Sequence, residues 1–265
     1  MTDGIAAEPH APVEETVPVA PPPPRWRVGL LLWLAGMLGV AAIAMLPLPP
    51  SVAQEAPRVP PWIVQLLGVA QSGLLLAFAV ALGTRLAPRV WLSAPAFEAL
   101  AARTGAWRAL RPQLVPGIVG ALLGGIVLLA FRQRAPSAVT NAVANGFDPS
   151  LLIRVLYGGI TEELLLRWGV MTLLLSLFAP GARRRGTRPG AISAAAAIAG
   201  SALLFGLGHL PTIVAYGGAL TAEVVLWTLV GNALFGVVAG VLFRRRGLEA
   251  AMIAHGLAHV IAFLA

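Results

Sequence analysis

The chain contains repeated apolar runs of about 20 residues, the length that an α-helix needs to cross a membrane. The runs are continuously apolar, whereas the strands of an outer-membrane barrel alternate apolar and polar residues. Only 11% of the 265 residues are charged, and the mean hydropathy is +0.82. This composition excludes a soluble globular domain. The sequence therefore predicts an all-α fold, a polytopic transmembrane helical bundle.

The apolar runs predict about seven spans, with an eighth half-span or a re-entrant segment around residues 208–221 as the alternative. Residues 1–27, rich in proline, alanine and glutamate, predict a disordered tail, and residues 28–265 form the transmembrane domain. Between the second and third spans, residues 93–114 predict an interfacial amphipathic helix. The seven spans are expected near residues 28–46, 62–86, 115–131, 151–178, 191–209, 222–243 and 248–265.

The distribution of arginine predicts the orientation of the chain. All 19 basic residues are arginines, and with a cytoplasmic N-terminus fourteen fall in inside segments and four in outside segments. This bias agrees with the positive-inside rule and predicts a multi-pass protein of the inner (plasma) membrane. The net charge of +8 favours membrane lipids over nucleic acid as partners, because the arginines cluster beside the spans. The arginine-only, alanine-rich composition is typical of a GC-rich bacterial genome.

Two small-residue patterns predict close helix packing. Gly120 and Gly124 lie in the third span, and Gly236 and Gly240 lie in the sixth. Glycines four residues apart leave one helix face without side chains, so a neighbouring backbone can approach. We expect tight helix crossings at both places.

Few ionisable side chains fall inside the predicted spans. The stretch ITEELLLRWG (residues 160–169) contains Glu162, Glu163 and Arg167. Together these groups cost roughly 8–10 kcal/mol to place unpaired at mid-membrane. Glu163 and Arg167 are four residues apart, the spacing of an ion pair along one helix face. That pairing leaves Glu162 as the carboxylate without a partner on its own helix.

Three of the four histidines lie in later spans. His209 follows Phe205 by four residues near the end of one span, and His255 and His259 are four residues apart in the last. Such a histidine pair can bind a metal ion or present two hydrogen-bond donors to one point. Packing into helix interfaces is the alternative for each group. Acidic and imidazole groups on three spans with few other polar residues favour a functional site.

The order of these motifs resembles that of the CPBP family of intramembrane proteases. This family includes the type II CAAX prenyl endopeptidases and the bacterial Abi immunity proteins. The resemblance covers residues of about 150–265 and implies an endopeptidase that hydrolyses a peptide bond of a membrane-associated protein or peptide. The matching motifs are Glu162-Glu163-x-x-x-Arg167, Phe205-x-x-x-His209 and the late His255-x-x-x pattern.

The resemblance also implies roles for individual residues. Glu162 would act as the general base, and His209 would be its partner on the attacking water. His255 would stabilise the oxyanion. His259 stands where the family usually has asparagine, and an imidazole can donate a hydrogen bond as an amide does. Orienting roles fall to Glu163, Arg167 and Phe205.

The same ionisable residues are also compatible with two functions other than peptide hydrolysis. A catalytically inactive scaffold or immunity protein is one alternative, and a proton-coupled transporter is another. The resemblance implies no cofactor, while a divalent metal such as zinc, held by carboxylates and histidines, is the alternative. Presenilin-type proteases need two aspartates in the membrane, but Asp3 and Asp148 lie outside the spans.

Straight helices with the predicted ends do not place Glu162, His209 and His255 at one depth in the membrane. Counted from the predicted cytoplasmic ends, Glu162 lies about 24 Å deep, His209 about 27 Å and His255 about 10 Å, at 1.5 Å per residue. A common site therefore requires tilted helices, a break at Gly206 or Gly208, or helices that begin elsewhere.

Overall fold

A computed structural model describes residues 23–55 and 58–265 of the chain. Most of these residues are helical, and none of them is in a strand, so the predicted all-α fold is confirmed. The predicted tail falls mainly on residues 1–22, which lie outside the described residues. The first helix begins at Arg25, within the last residues assigned to the tail.

The described residues form eleven helices. Helix α7 (residues 151–178) is continuous but changes its winding, and its segments are Leu151–Ile153, Arg154–Glu162, Leu164–Met171 and Thr172–Phe178. The others are α1 (Arg25–Ile43), α2 (Pro50–Glu55), α3 (Pro61–Leu86), α4 (Pro95–Ala101), α5 (Ala106–Arg132), α6 (Ser137–Ala144), α8 (Pro180–Arg185), α9 (Ala191–Ala215), α10 (Ala222–Arg246) and α11 (Leu248–Leu264).

The chain is a multi-pass membrane protein. In the described part, α1, α3, α5, α9 and α10 are each long and apolar enough to cross a membrane, and α11 is a shorter apolar helix. Their outward surfaces carry exposed leucines, valines and phenylalanines, for example Leu74 at 73% and Phe78 at 67% exposure. In water such a surface would be unfavourable, whereas acyl chains solvate it.

Helix α7 lies inside the bundle, against α1, α3, α9 and α11. Its two middle segments, Arg154–Glu162 and Leu164–Met171, are wound as π-helix, whose wider turns are frequent at functional sites. Hydrogen bonds tie it to its neighbours. Thr161 donates its hydroxyl to the carbonyl of Gly36 (2.7 Å), and the indole of Trp168 donates to the carbonyl of Val80 (3.3 Å).

Helix α11 begins inside the bundle rather than at its edge. The amide of Ala250 donates to Oε1 of Gln113 (3.0 Å), two turns into α5. Helices α5 and α11 then run parallel in close contact. A Cβ atom added at Gly120 would lie 2.9 Å from the Cβ of Ala254, and one at Gly124 would lie 3.0 Å from that of Ala258.

This register places His255 level with the middle of α5. Counted along α5 from its first residue, that level is about 22 Å, close to the depths expected for Glu162 and His209. His255 can therefore meet Glu162 and His209 because α11 starts beside the second turn of α5 and not level with its first residue. The suggested break is wrong, since α9 continues as one helix through Gly206 and Gly208 to Ala215.

Two other expectations need correction. The interfacial helix predicted over residues 93–114 is divided, because α4 ends at Ala101 and residues 106–114 are the first turns of the long α5. Arg103, which has a positive φ of 58°, lies in the connection between them. The re-entrant alternative around residues 208–221 is not seen, since α9 covers its first part and residues 216–221 link α9 to α10.

The small-residue patterns pack as predicted. Gly120 and Gly124 face α11, as described above. On α10, a Cβ at Gly236 would lie 2.8 Å from the Cβ of Ala202, and one at Gly240 would lie 3.0 Å from a methyl group of Ile198. Helix α10 therefore approaches α9 closely, and this contact positions the end of α9 that carries His209.

Arginine-rich helix ends gather at one end of the bundle. Arg25, at the start of α1, shares a groove with Arg85 and Arg89, at the end of α3. Arg244, at the end of α10, donates to the carbonyl of Pro189 (3.2 Å), which precedes α9. At the opposite end, Arg132 donates to the carbonyl of Ala262 (2.9 Å).

Candidate active site

Glu162 faces two histidines from two other helices. Its Oε1 lies 3.9 Å from Nε2 of His209 on α9, and its Oε2 lies 3.9 Å from Nε2 of His255 on α11. Both separations exceed a direct hydrogen bond, and both fall in the range that one bridging polar molecule spans. The structure thus brings together the three groups to which the family resemblance gives the catalytic roles.

The orientation of His209 is fixed by its own helix. Its Nδ1 lies 2.8 Å from the carbonyl oxygen of Phe205, one turn earlier. That oxygen only accepts, so Nδ1 carries the proton, and in the neutral ring Nε2 presents a lone pair toward Glu162. The Phe205 ring meets the imidazole edge to face, with centroids 4.8 Å apart. Phe205 therefore orients His209 through both its backbone and its side chain.

His255 is buried and held by a second carboxylate. Its Nδ1 lies 2.8 Å from Oε1 of Glu163, and its side chain is only 4% exposed. Because Nδ1 donates to this carboxylate, Nε2 is the nitrogen that faces Glu162. The ring also packs against Phe235 on α10, with centroids 4.5 Å apart. These contacts leave the imidazole one orientation.

Glu163 and Arg167 form the ion pair predicted from their spacing. The Arg167 Nε lies 3.3 Å from Oε2 of Glu163, and both side chains are fully buried. The two atoms are close but not aligned as a hydrogen bond, so the contact is mainly electrostatic. Arg167 also donates through Nη2 to the carbonyl of Gly236 (3.2 Å), and its guanidinium carbon lies 4.9 Å from the Phe205 ring centre.

The ion pair between Glu163 and Arg167 also connects α7 to three neighbouring helices. Through Glu163 it reaches His255 on α11, and through Arg167 it reaches α9 and α10. Buried charges are stable only when they are paired and hydrogen-bonded, so the network connects the positions of four helices to one another. Glu163 thereby becomes an orienting group for His255.

His259 occupies a different position from the other three groups. Its ring stacks on that of His255, with centroids 5.0 Å apart and planes at 24°. A Cβ atom added at Gly158 would lie 2.8 Å from Nε2 of His259, so this nitrogen sits against the backbone of α7. The structure therefore places His259 beside His255, and in the described residues no salt bridge joins His259 to Glu162.

Within residues 23–55 and 58–265, no group of three or more histidine, aspartate or glutamate side chains is arranged to hold a metal ion. The two imidazoles of the last motif stack instead of converging on one point. The sequence suggested that two carboxylates and three histidines could together bind a metal ion. In the structure, two of these five groups make other contacts. Glu163 binds His255, and His259 stacks behind it.

Three residues that position the site were not singled out from the sequence. Gly158 and Gly159 allow α7 to cross α11 closely, since a Cβ at Gly159 would lie only 2.9 Å from the Cα of Gly256. Phe235 supports the ring of His255. The paired glycines one turn before Glu162 were the available signal, because such pairs permit close backbone approach. Phe235 carried no comparable signal.

The comparison with known families agrees with this geometry. Residues 144–261 match the family described as type II CAAX prenyl endopeptidase, Rce1-like. No curated protein and no solved structure matches the chain. The matched segment contains all three motifs, from Glu162 to His259, and confirms the resemblance drawn from them. The motif-bearing part of this chain is therefore similar, over residues 144–261, to the Rce1-like type II CAAX prenyl endopeptidases.

Proposed function

We propose that the protein is an intramembrane endopeptidase that hydrolyses a peptide bond of a membrane-associated protein or peptide with a water activated by Glu162. One observation carries the proposal: the two carboxylate oxygens of Glu162 face the Nε2 atoms of His209 and His255, each at 3.9 Å. A water in the space between them would meet an acceptor on Glu162 and a second acceptor on His209. The family that residues 144–261 match is described as type II CAAX prenyl endopeptidase, which supports this reaction class.

In the first step, Glu162 takes one proton from the water, and the resulting hydroxide attacks the carbonyl carbon of the scissile amide. The Nε2 atom of His209 accepts a hydrogen bond from the O–H that remains on the hydroxide, because Nδ1 carries the ring proton and donates it to the Phe205 carbonyl. Such a positioned base contributes about 10²–10⁴ to the rate. Glu162 is 17% exposed and His209 is 37% exposed, so both are reachable by water and substrate.

His255 supplies the hydrogen bond to the oxyanion in this proposal. Its Nδ1 proton points to Glu163, so a donor at Nε2 requires the doubly protonated ring. The Oε1 atom of Glu163 at 2.8 Å holds the ring so that Nε2 faces the reacting group, 3.9 Å from Oε2 of Glu162. A fixed donor in a buried site stabilises the developing negative charge without reorganisation of solvent.

Collapse of the tetrahedral intermediate completes the reaction. The C–N bond breaks, the carbonyl re-forms, and the proton that Glu162 took from water passes to the leaving amine. The products are a carboxylic acid and an amine, which exchange a proton to become a carboxylate and an ammonium group, and Glu162 returns to its starting ionisation state. The cycle as proposed uses only the side chains of this chain.

We also infer that the protein lies in the inner membrane with its N-terminus in the cytoplasm. The arginine-rich helix ends support this orientation, because Arg25, Arg85, Arg89 and Arg244 lie at one end of the bundle. The clustered groups around Glu162 then lie about midway along α7. A peptide bond at that depth belongs to a substrate that is itself embedded in or anchored to the bilayer.

The test compares purified wild-type protein with Glu162→Gln and His209→Ala on a quenched peptide library, together with a proteomic search for substrates that accumulate in cells carrying either variant. We expect both variants to lower kcat by about 10²–10⁴. Glu223→Gln is the matched control, because Glu223 is an exposed carboxylate in the first turn of α10 and, in the described residues, forms no salt bridge with the cluster. Wild-type cleavage by Glu162→Gln would overturn the assignment of the base.

A further inference from the structure

A groove separate from the candidate active site opens between α1 and α3. Its volume is about 610 Å³, within the range of small-molecule binding sites. We call it the α1–α3 groove. It is defined by residues near the start of α1 and the end of α3, among them Arg25, Trp26, Trp33, Ala81, Arg85 and Arg89. Because the two helices are antiparallel neighbours, these residues meet at one end of the bundle.

One end of the groove is strongly basic. Arg25, Arg85 and Arg89 line it, all three are exposed, and no acidic residue lines it. In the described residues, none of the three forms a salt bridge, and Arg89 donates to the backbone carbonyl of Arg85. Three guanidinium groups around one opening attract an anion, and their planar forks match the oxygens of a phosphate.

The rest of the groove is apolar. Leu30, Ala77 and Val80 line its sides below the arginines. Trp33 stands at the deeper end, where its indole donates to the carbonyl of Gly73 (3.1 Å), and Trp26 stands at the mouth with 66% of its surface exposed. Tryptophan is enriched where a membrane protein passes from headgroups to acyl chains. The groove is therefore basic at the membrane interface and apolar toward the membrane interior.

We propose that the α1–α3 groove binds one anionic phospholipid. The phosphate of the headgroup contacts Arg25, Arg85 and Arg89, and an acyl chain lies along Leu30 and Ala81. Basic pockets between transmembrane helices are suited to such headgroups, and each arginine near an anionic lipid contributes measurably to binding. The occupant is a lipid rather than free phosphate, because the apolar walls extend below the arginines. This site is independent of the proposed peptidase activity.

The experiment measures lipid retention on the purified full-length chain. The protein is reconstituted in nanodiscs of phosphatidylcholine containing phosphatidylglycerol, extracted, and analysed by native mass spectrometry for each bound lipid. We expect the wild type to retain phosphatidylglycerol in preference to phosphatidylcholine, and inorganic phosphate not to displace it. Arg85→Gln combined with Arg89→Gln is expected to reduce the preference by roughly 30-fold.

Two further variants separate the groove from diffuse charge attraction. Arg108→Gln with Arg111→Gln removes the same charge from exposed positions on α5 outside the groove, and we expect it to retain phosphatidylglycerol like the wild type. Ala81→Phe keeps every arginine but fills the groove from an exposed, lipid-facing position, and we expect it to lose the bound lipid. Normal retention by Ala81→Phe, or an equal loss in the α5 control, would overturn the proposal.

Discussion

The Nδ1 atom of His255 on α11 lies 2.8 Å from Oε1 of Glu163 on α7, and both side chains are buried. The adjacent residue, Glu162, faces the opposite nitrogen of the same ring at 3.9 Å. Two consecutive glutamates thus lie on opposite sides of one imidazole, and each faces one of its two nitrogens. One of them orients the ring, and the other shares with it the space in which we place the chemistry.

Glu163 is therefore expected to control the hydrogen-bonding state of His255. In Glu163→Gln the neutral amide is a weaker acceptor for the Nδ1 proton of His255, and it can instead donate to Nδ1, which changes the hydrogen bonds that the ring can make. We predict a decrease in kcat of roughly 10- to 100-fold with little change in KM. Peptide-cleavage kinetics measure both constants, and Glu163→Asp, which keeps the charge, should restore part of kcat.

Arg167→Gln is the matched control for Glu163→Gln. It breaks the same buried ion pair from the other side but leaves the contact between Glu163 and His255. Thermal unfolding should show that both variants are less stable, by about 3–5 kcal/mol, because each leaves a buried charge without its partner. A kcat loss in Arg167→Gln as large as that in Glu163→Gln would mean that stability, and not the state of His255, explains the effect.

His259 offers a direct test of its place in the motif, where the family usually has asparagine. If it donates a hydrogen bond to the substrate or intermediate, His259→Asn should keep kcat within about tenfold, while His259→Leu should lose about 10²–10³. Equal activity in the two variants would mean that His259 only packs against His255.

The metal question has its own test. Zinc content and the effect of chelators are measured on the same proteins, and we expect cleavage to be insensitive to chelation.

Much of the fold follows from the sequence because transmembrane helices are specified locally. Apolar run length predicted the helical class and most of the spans, and the glycine patterns at residues 120–124 and 236–240 predicted close packing. The ion pair between Glu163 and Arg167 follows from helix geometry alone. Glu163 and Arg167 lie on the same helix, so their spacing is enough to predict the pair. A glycine pattern predicts close packing because the missing side chains can be read directly from the sequence.

The depth of His255 and the partner of Glu163 are relations between helices, and spacing along one chain segment does not determine them. Helix α11 starts deep because Gln113 on α5 bonds its first turn, and nothing near residue 248 in the sequence reports that contact. Likewise, the bond from His255 to Glu163 depends on how closely α7 and α11 cross. The position of His259 behind His255 is a consequence of the same crossing.

The crossing of α7 and α11 should depend on Gly159. A methyl group there would lie 2.9 Å from the Cα of Gly256, so Gly159→Ala must push the two helices apart. Overpacking of this kind typically costs about 1–3 kcal/mol, and the separation also moves Glu162 away from His255. We predict a lower midpoint of thermal unfolding and reduced peptide cleavage. Gly68→Ala, on α3 with open space around its Cα, should show neither effect.

The orientation in the membrane can be tested by labelling single introduced cysteines. The chain contains no cysteine of its own, so it gives no background labelling. Ser137, at the start of α6, and Thr187, between α8 and α9, are both exposed, and our topology places them on opposite sides of the membrane. Intact cells carrying Ser137→Cys should react with a membrane-impermeant maleimide, whereas Thr187→Cys should react only after the cells are opened. The reverse pattern would place the arginine-rich end outside and would contradict the cytoplasmic N-terminus.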